Sequence, residues 1–320
     1  MTAPARVVAL SGGVGGAKLA LGLSRVVPGP ELLIVANTGD DFDHYGLRIC
    51  PDLDSVTYAL AGLNDEQRGW GRKDESWGFM AAFGELGGER WFNVGDGDLA
   101  LHVLRSQQLR DGMTLSAVTA AVTRRLGIDA RLVPMSDDPV PTRVLTEAGP
   151  LAFQHYFVRE RCVPAVSGFR FDNADAARPN PDFLAALAGD ALKAVVITPS
   201  NPFVSIDPIL ALPGVRAALR ACAAPVLAIS PIVGGEAIKG PAAKMFTELG
   251  LPAGAAAVAR YYGDLLDGFI LDRVDAADES EIAALGLATL VSDTVMRTLA
   301  DRERLAREAI AFAGRFGGSA

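Results

Sequence analysis

The stretch Val7-Val8-Ala9-Leu10-Ser11-Gly12-Gly13-Val14-Gly15-Gly16-Ala17-Lys18 decides the fold, because it reads as a buried strand that runs into a glycine-rich turn and then a helix. Glycine permits positive φ and a close ligand approach, and the free N–H groups at a helix N-terminus favour phosphate. The stretch therefore predicts a phosphate-bearing ligand. The residues expected to hold it are Gly12, Gly13, Gly15, Gly16 and Lys18. An ordinary strand-to-helix turn without a ligand is the alternative.

The two familiar glycine fingerprints do not fit this turn. A P-loop requires Ser or Thr after Gly-Lys, whereas this chain has Ala17-Lys18-Leu19. The dinucleotide fingerprint requires a small residue where Lys18 stands, and an acidic residue after the second strand to hold a ribose. That strand, Leu32-Leu33-Ile34-Val35-Ala36, is followed by Asn37-Thr38-Gly39 instead. The failed matches disfavour a P-loop kinase and a nicotinamide-dependent oxidoreductase.

Composition is that of an ordinary globular protein. The chain has 320 residues, of which 50% are hydrophobic and 21% charged, and its formal charge is −8. The negative net charge and the lack of a cluster of Lys and Arg residues argue against a nucleic-acid partner. No apolar run reaches the length of a membrane span and no signal-peptide pattern is present, so we expect a cytoplasmic protein with no membrane partner. Three widely spaced cysteines suggest neither disulfides nor zinc.

Strand patterns alternate with helical patterns, which predicts an α/β fold: a Rossmann-like, mostly parallel sheet flanked by helices. We assign residues 1–60 and 151–320 to this core and residues 61–150 to a mostly helical insertion. Strands are expected at 194–198, 225–229 and 268–272, a helix near 205–220, and a C-terminal helix from about Asp293. The first two of these strands end in turns that contain Ser200, Asn201 and Ser230. Open α/β sheets bind ligands at such strand ends.

An acidic loop follows the second strand. Asp40 and Asp41 come directly after Asn37-Thr38-Gly39, and Asp43, Asp52 and Asp54 are close in sequence. Carboxylates beside a phosphate site repel the ligand unless a cation lies between them, and Mg²⁺ is bound in this way. We therefore predict Mg²⁺ at Asp40 and Asp41. The alternative is that these residues serve as turn and cap residues, which Asp fills readily.

Two further features, an acidic turn and a set of tryptophans, each allow a structural and a functional interpretation. The turn Gly95-Asp96-Gly97-Asp98 precedes a helix with His102 and is typical of a helix start. The tryptophans Trp70, Trp77 and Trp91 are more typical of a core than of a wall for a planar ring system. No nucleophile elbow or Cys-His arrangement is present, which disfavours nucleophilic hydrolysis.

The ordered set of motifs resembles the 2-phospho-L-lactate transferase family of deazaflavin coenzyme F-420 synthesis. Each motif alone is weak, but the set in this order is specific and spans nearly the whole chain. The motifs are Ser11-Gly12-Gly13-Val14-Gly15-Gly16-Ala17-Lys18, Asn37-Thr38-Gly39-Asp40-Asp41, Pro51-Asp52-Leu53-Asp54, Gly69-Trp70-Gly71, Gly95-Asp96-Gly97-Asp98, Pro134-Met135-Ser136-Asp137-Asp138, Pro199-Ser200-Asn201-Pro202 and Ser230-Pro231-Ile232.

The resemblance implies a Mg²⁺-dependent transfer in which the ribityl hydroxyl of the deazaflavin Fo attacks a phosphorus of a guanosine diphospho-linked acid, with GMP as the leaving group. It implies catalytic and metal roles for Asp40 and Asp41. It places Fo at Asp52, Asn93 and Asp96, with the 61–150 segment contributing to that site, and the nucleotide at the glycine turn, Ser200 and Asn201. The family usually forms homodimers. The acid itself, phospholactate, phosphoenolpyruvate or 3-phosphoglycerate, stays open.

A second function class competes with this one. Proteins similar to gluconeogenesis factors share the glycine turn and the Asn-Thr-Gly-Asp pattern, and such a chain would bind a nucleotide sugar without catalysis. The Pro51-Asp52-Leu53-Asp54 and Gly69-Trp70-Gly71 segments favour the transferase.

Overall fold

A computed structural model describes residues 4–317. The strands are β1 (Val7–Ser11), β2 (Leu32–Ala36), β3 (Phe42–His44), β4 (Leu47–Ile49), β5 (Arg131–Pro134), β6 (Thr142–Thr146), β7 (Gly149–Ala152), β8 (Val166–Phe171), β9 (Ala194–Ile197), β10 (Val226–Ile229), β11 (Ile232–Val233), β12 (Glu236–Ala237), β13 (Gly268–Asp272) and β14 (Ala288–Ser292). The helices are α1 (Gly13–Val26), α2 (Pro51–Ala61), α3 (Gly78–Glu85), α4 (Asp96–Arg110), α5 (Leu115–Arg125), α6 (Pro181–Leu187), α7 (Asp207–Leu210), α8 (Val215–Ala221), α9 (Ala242–Glu248), α10 (Ala255–Tyr262), α11 (Glu279–Ala283) and α12 (Leu299–Ala313).

Seven parallel strands form the main sheet, in the order β14-β13-β10-β9-β1-β2-β5. At its centre Leu10 of β1 is in register with Val35 of β2 and Ile197 of β9. The chain proceeds outward from β1 through β2 to β5 and then returns to the other side at β9. This reversal of strand order between β1 and β9 creates the crevice in which doubly wound sheets bind ligands. The predicted fold class is confirmed.

Alternate residues of β1 build the two cores that cover the sheet. Val8 and Leu10 belong to one cluster of buried apolar side chains, and Val7 and Ala9 belong to the other. Successive side chains of a strand point to opposite faces, so a strand covered on both faces is apolar throughout. Helix α1 packs against α2 and α12 over one of these faces.

The segment 61–150 contains more than helices. It includes the helices α3, α4 and α5, but it also includes β5, the edge strand of the main sheet, and β6. A separate antiparallel sheet, β7-β6-β8, crosses the boundary at residue 150. The strand β5 has only four residues, too few for periodicity to distinguish it from loop.

Two predicted helix boundaries are wrong. The helix expected near 205–220 is a π-helical turn, Pro202–Ile206, followed by α7 and α8, and the segment Leu212-Pro213-Gly214 separates α7 from α8. The C-terminal helix begins at Leu299 rather than near Asp293, because Thr298 and Asp301 form a capping box there. Among the described helices no single one is long and apolar enough to cross a membrane, and one bent pair, Pro202–Leu210 with Val215–Ala221, meets the length and composition criteria.

Candidate active site

One cavity of about 590 Å³ opens at the carboxyl ends of β1 and β9. It brings together most of the residues predicted from the sequence, although they come from distant parts of the chain. Those that line it are Gly12, Gly13, Gly15, Lys18, Asp40, Asp52, Asn93, Ser200 and Asn201. Gly16, Asp41 and Asp96 do not line it. The crevice predicted by the strand order is thus a formed pocket.

The glycine turn is held from two sides. Gly12 is the N-cap of α1, and Gly13 has φ of 65°, which glycine adopts at little cost. The Ser200 hydroxyl donates to the Gly12 carbonyl over 2.7 Å and accepts from the Gly12 N–H over 3.2 Å. A side chain at Gly16 would place its Cβ 2.6 Å from both the Ser11 and Ser200 hydroxyl oxygens. Ser200 and Gly16 therefore fix the turn against the end of β9.

Asp52 joins the acidic segment to the glycine turn. Its Oδ1 accepts a 2.6 Å hydrogen bond from the N–H of Gly13, and its Oδ2 accepts one of 2.9 Å from the Asn37 side chain. Asp52 lies in the first turn of α2, so the positive ends of two helices meet at its carboxylate. Burial nevertheless raises its pKa to about 6, against the opposing effects of the Asn37 and Gly13 hydrogen bonds.

Asp40 presents an incompletely satisfied carboxylate to the same cavity. Its Oδ2 accepts a 3.2 Å hydrogen bond from Gln154, whereas its buried Oδ1 has no partner among the described residues. Burial, followed by the charges of Asp52 and Asp41, raises the pKa of Asp40 well above its ordinary value. Two neighbouring carboxylates with an unused oxygen are the donor set that a hard cation prefers. These residues therefore fit Mg²⁺.

Asp41 lies away from the cavity. Burial raises its pKa to about 8, against the opposing effects of the Cys50 thiol and the charges of Arg105 and Arg48. Its Oδ1 is buried without a hydrogen-bond partner among the described residues. Asp40 and Asp52 both line the cavity and Asp41 does not, whereas the sequence predicted metal roles for Asp40 and Asp41.

The sequence did not predict a second charged cluster, of which Asp54, Tyr58, Asp98 and His102 line the cavity and Arg105 lies behind them. Arg105 donates two hydrogen bonds to the Asp54 carboxylate. His102 lies between carboxylates, with Nδ1 3.6 Å from Asp54 and Nε2 3.4 Å from Asp98. The Tyr58 hydroxyl donates to Asp98. The spacing of Asp98 and His102 by four residues on α4 was a possible signal, because it puts both on one helix face.

The aromatic side chains divide between cavity and packing. Trp70 is 47% exposed and lines the cavity, while Trp77 is 36% exposed and does not line it. The Arg68 guanidinium lies 5.2 Å and 5.0 Å from the centres of these two rings. Trp91 packs instead against other rings. The cavity is further lined by Phe92, Phe153 and Phe157. A planar ring system would meet such a wall favourably.

Three remaining predicted residues have clear structural positions. Asn93 lines the cavity next to Phe92. The Asp96 carboxylate accepts hydrogen bonds from the Ser76 hydroxyl and from the N–H groups of Gly78 and Phe79, so it holds the start of α3. The Asn201 side chain accepts a 3.0 Å hydrogen bond from the N–H of Phe203 and lines the cavity. The Asp96 carboxylate therefore has a structural use outside the cavity.

The comparison with protein families agrees with this geometry. Residues 7–312 match the model of the family described as 2-phospho-L-lactate transferase CofD. The chain belongs to this family. It is thus an enzyme of the transferase type, and the resemblance seen in the motifs is confirmed.

Several named relatives match nearly the full chain. A phosphoenolpyruvate transferase of Kitasatospora aureofaciens is 43% identical over 96% of this chain and 98% of its own length. One of Streptomyces griseus is 40% identical with the same coverage. The 2-phospho-L-lactate transferase of Methanosarcina mazei is 37% identical over 94% of this chain and 98% of its own. The family therefore includes members named for two different acids.

A solved structure shows the same fold at low identity. A protein of Bacillus halodurans, studied by X-ray crystallography, matches with a TM-score of 0.63 and 17% identity, over 97% of this chain and 100% of that one. At 17% sequence identity, this match shows that the two proteins share a fold and shows nothing about function.

Proposed function

We propose that this transferase moves a phospho-acid group from a guanosine diphospho-linked donor to the ribityl hydroxyl of the deazaflavin Fo in coenzyme F-420 biosynthesis. One observation carries the proposal: a single cavity contains a helix N-terminus suited to phosphate, the Asp40 and Asp52 carboxylates, and an aromatic wall. Phosphoryl transfer depends mainly on positioning and on charge neutralisation, and this cavity has parts suited to both.

In the proposed reaction the Fo hydroxyl oxygen forms a bond to the acid-side phosphorus of the donor. The bond from that phosphorus to the oxygen of GMP breaks, and the hydroxyl proton is released. Gly15 in the first turn of α1 would orient the diphosphate, since the N–H of Gly13 is already bound by the Asp52 carboxylate. The apolar wall with Trp70 would hold the deazaflavin ring.

Mg²⁺ is part of the proposal. Asp40, with its unpartnered Oδ1, and Asp52 would hold the ion. When bound, the ion supplies neutralisation of the charge on the non-bridging phosphate oxygens. Asp41, which does not line the cavity, would support the loop that carries Asp40.

For the transferred acid we propose phosphoenolpyruvate. The bacterial relatives at 43% and 40% identity carry that name, and the archaeal relative named for 2-phospho-L-lactate is 37% identical. A cytoplasmic homodimer belongs to the same proposal: the homodimer rests on the family resemblance, and the cytoplasmic location is the expectation from the sequence.

The test is incubation of the purified protein with Fo, Mg²⁺ and each of the three guanosine diphospho-linked acids in turn, followed by mass spectrometry. The expected result is GMP release matched by a phosphodiester of Fo, fastest with the phosphoenolpyruvate donor. Fastest product formation with another donor would replace the proposed acid. A folded protein that makes no product with any donor, yet binds a nucleotide sugar, would refute the transferase and favour the non-catalytic alternative.

A further inference from the structure

The cavity contains cationic side chains as well as carboxylates. Lys18 from α1 and Lys239 from the segment after β12 line it together with Thr294, Val295 and Met296. The mechanism above uses neither ammonium group. A pocket that holds several carboxylates and two separate lysines is suited to a ligand with both metal-bound and free anionic groups.

Lys18 has a positive charge that its surroundings do not neutralise. Its Nζ donates a 3.0 Å hydrogen bond to the Met296 carbonyl and forms no salt bridge with any residue in the described range. Burial, followed by the charges of Arg302 and Lys239, lowers the pKa of Lys18, and the charge of Glu66 opposes this. Glu66 is itself paired with Arg302 over 2.7 Å. An ammonium has three donors, so two remain available to a ligand.

Lys239 approaches the same region from another element. Its Nζ donates a 3.2 Å hydrogen bond to the carbonyl of Gly69. Gly69 has φ of 74°, and a side chain there would collide with the Lys239 ammonium. Residues 4–317 offer Lys239 no salt bridge either. The Gly69-Trp70-Gly71 turn thus leaves room for the ammonium at the edge of the cavity.

We propose that Lys18 and Lys239 together bind an anionic oxygen group of the donor. The inference rests on the proposed function, because it takes the donor to be a guanosine diphospho-linked acid. Such a donor has a diphosphate and a carboxylate. The start of α1 and the metal site account for the diphosphate, which leaves the carboxylate of the acid as the group in need of a cation.

Isothermal titration of the Mg²⁺-loaded full chain tests the pair without relying on turnover. The ligands are guanosine diphospho-linked phosphoenolpyruvate and GDP, and the proteins are wild type, Lys239→Met and Lys193→Met. Lys193 is an exposed lysine that directly precedes β9, at the end of the sheet away from the cavity, and it serves as the matched control. We expect Lys239→Met to bind the full donor at least about tenfold more weakly, a loss typical of one charged hydrogen bond. Lys193→Met should bind as wild type does.

The two ligands distinguish the possible sources of the anion. If Lys239→Met binds the donor more weakly but binds GDP as wild type does, the group that Lys239 binds is the carboxylate. If the affinity falls equally for both ligands, the group is the diphosphate. Donor and GDP affinities of Lys239→Met within twofold of wild type would overturn the inference. Lys239→Arg, which keeps the charge, should recover most of the affinity. Lys18→Met provides a second variant, with its thermal unfolding measured because Lys18 is partly buried.

The outcome is separable from that of the proposed function. A wild-type protein that binds the donor but makes no Fo phosphodiester would refute the proposed function alone. A wild-type protein that binds no guanosine diphospho-linked acid would refute both.

Discussion

Asp52 and Gly13 are joined by a 2.6 Å hydrogen bond in which the N–H of the first residue of α1 donates to the carboxylate. The same carboxylate accepts from Asn37, which directly follows β2. One side chain therefore ties the glycine turn, the acidic loop and the start of α2 together. This arrangement predicts that the shape of the phosphate site depends on Asp52.

We expect Asp52→Asn to lower both stability and turnover. The amide would place an N–H group against either Gly13 or Asn37, both of which donate at this position. An unsatisfied buried donor costs about 1–3 kcal/mol. The measurements are the free energy of unfolding in urea and kcat with saturating substrates. Turnover and stability equal to wild type would show that the hydrogen bonds from Gly13 and Asn37 to Asp52 are dispensable.

Asp40→Asn tests the metal hypothesis. We expect turnover to fall at least about a hundredfold, because the carboxylate that would hold Mg²⁺ loses its charge. Thermal stabilisation by added Mg²⁺ should also disappear. Asp43→Asn is the control, since Asp43 is exposed on β3 and pairs with Arg48 over 2.9 Å. If Asp40→Asn kept the wild-type response to Mg²⁺, Asp40 would not be a ligand.

Stability without metal should depend on pH through Asp41. Its pKa of about 8 lies above the value of about 3.9 in an unfolded chain. The folded protein therefore holds a proton that the unfolded chain releases, so the free energy of unfolding falls as pH rises from about 4 to about 8 and then levels. Asp40 and Asp52 act in the same direction. We expect Asp41→Asn to flatten part of this decline, measured as melting temperature against pH; a profile parallel to wild type would contradict the assignment.

Gly16 should tolerate no side chain. A Cβ there lies 2.6 Å from the Ser11 and Ser200 hydroxyl oxygens, and overpacking of this kind costs about 1–3 kcal/mol. Gly314→Ala is the matched control, because nothing lies within 4 Å of its added Cβ. Denaturant midpoints should fall for Gly16→Ala and stay level or rise for Gly314→Ala. Equal midpoints for the two variants would remove close packing as the reason for Gly16.

Trp70 and Trp77 provide a matched pair for the aromatic wall. Both are partly exposed and lie near Arg68, but only Trp70 lines the cavity. An aromatic contact contributes about 0.5–1.5 kcal/mol, so Trp70→Ala should raise the KM for Fo about 2- to 12-fold. Trp77→Ala should change it little. Steady-state kinetics with varied Fo checks this, and equal effects of the two substitutions would argue against ring stacking on Trp70.

Local sequence was sufficient for the parts of the fold that depend on local chemistry. The apolar strand β1, the glycine turn and the following helix could be predicted because burial on both faces requires continuous apolar residues and a tight turn requires glycine. The acidic loop and the turn at Ser200 could be assigned to strand ends for the same reason. The short strand β5 could not, because four residues carry too little periodic signal.

The partners of each carboxylate were decided by tertiary structure alone. Asp40 and Asp41 are neighbours in sequence, yet one lines the cavity and the other lies by Cys50 and Arg105, because successive side chains of a turn leave the backbone in different directions. Asp52 meets Gly13 across 39 positions of sequence, and Lys239 meets Gly69 across 170. The sequence determines which chemical groups are available. The reversal of strand order between β1 and β9 determines which of these groups share one pocket, because packing brings strand ends together irrespective of their separation along the chain.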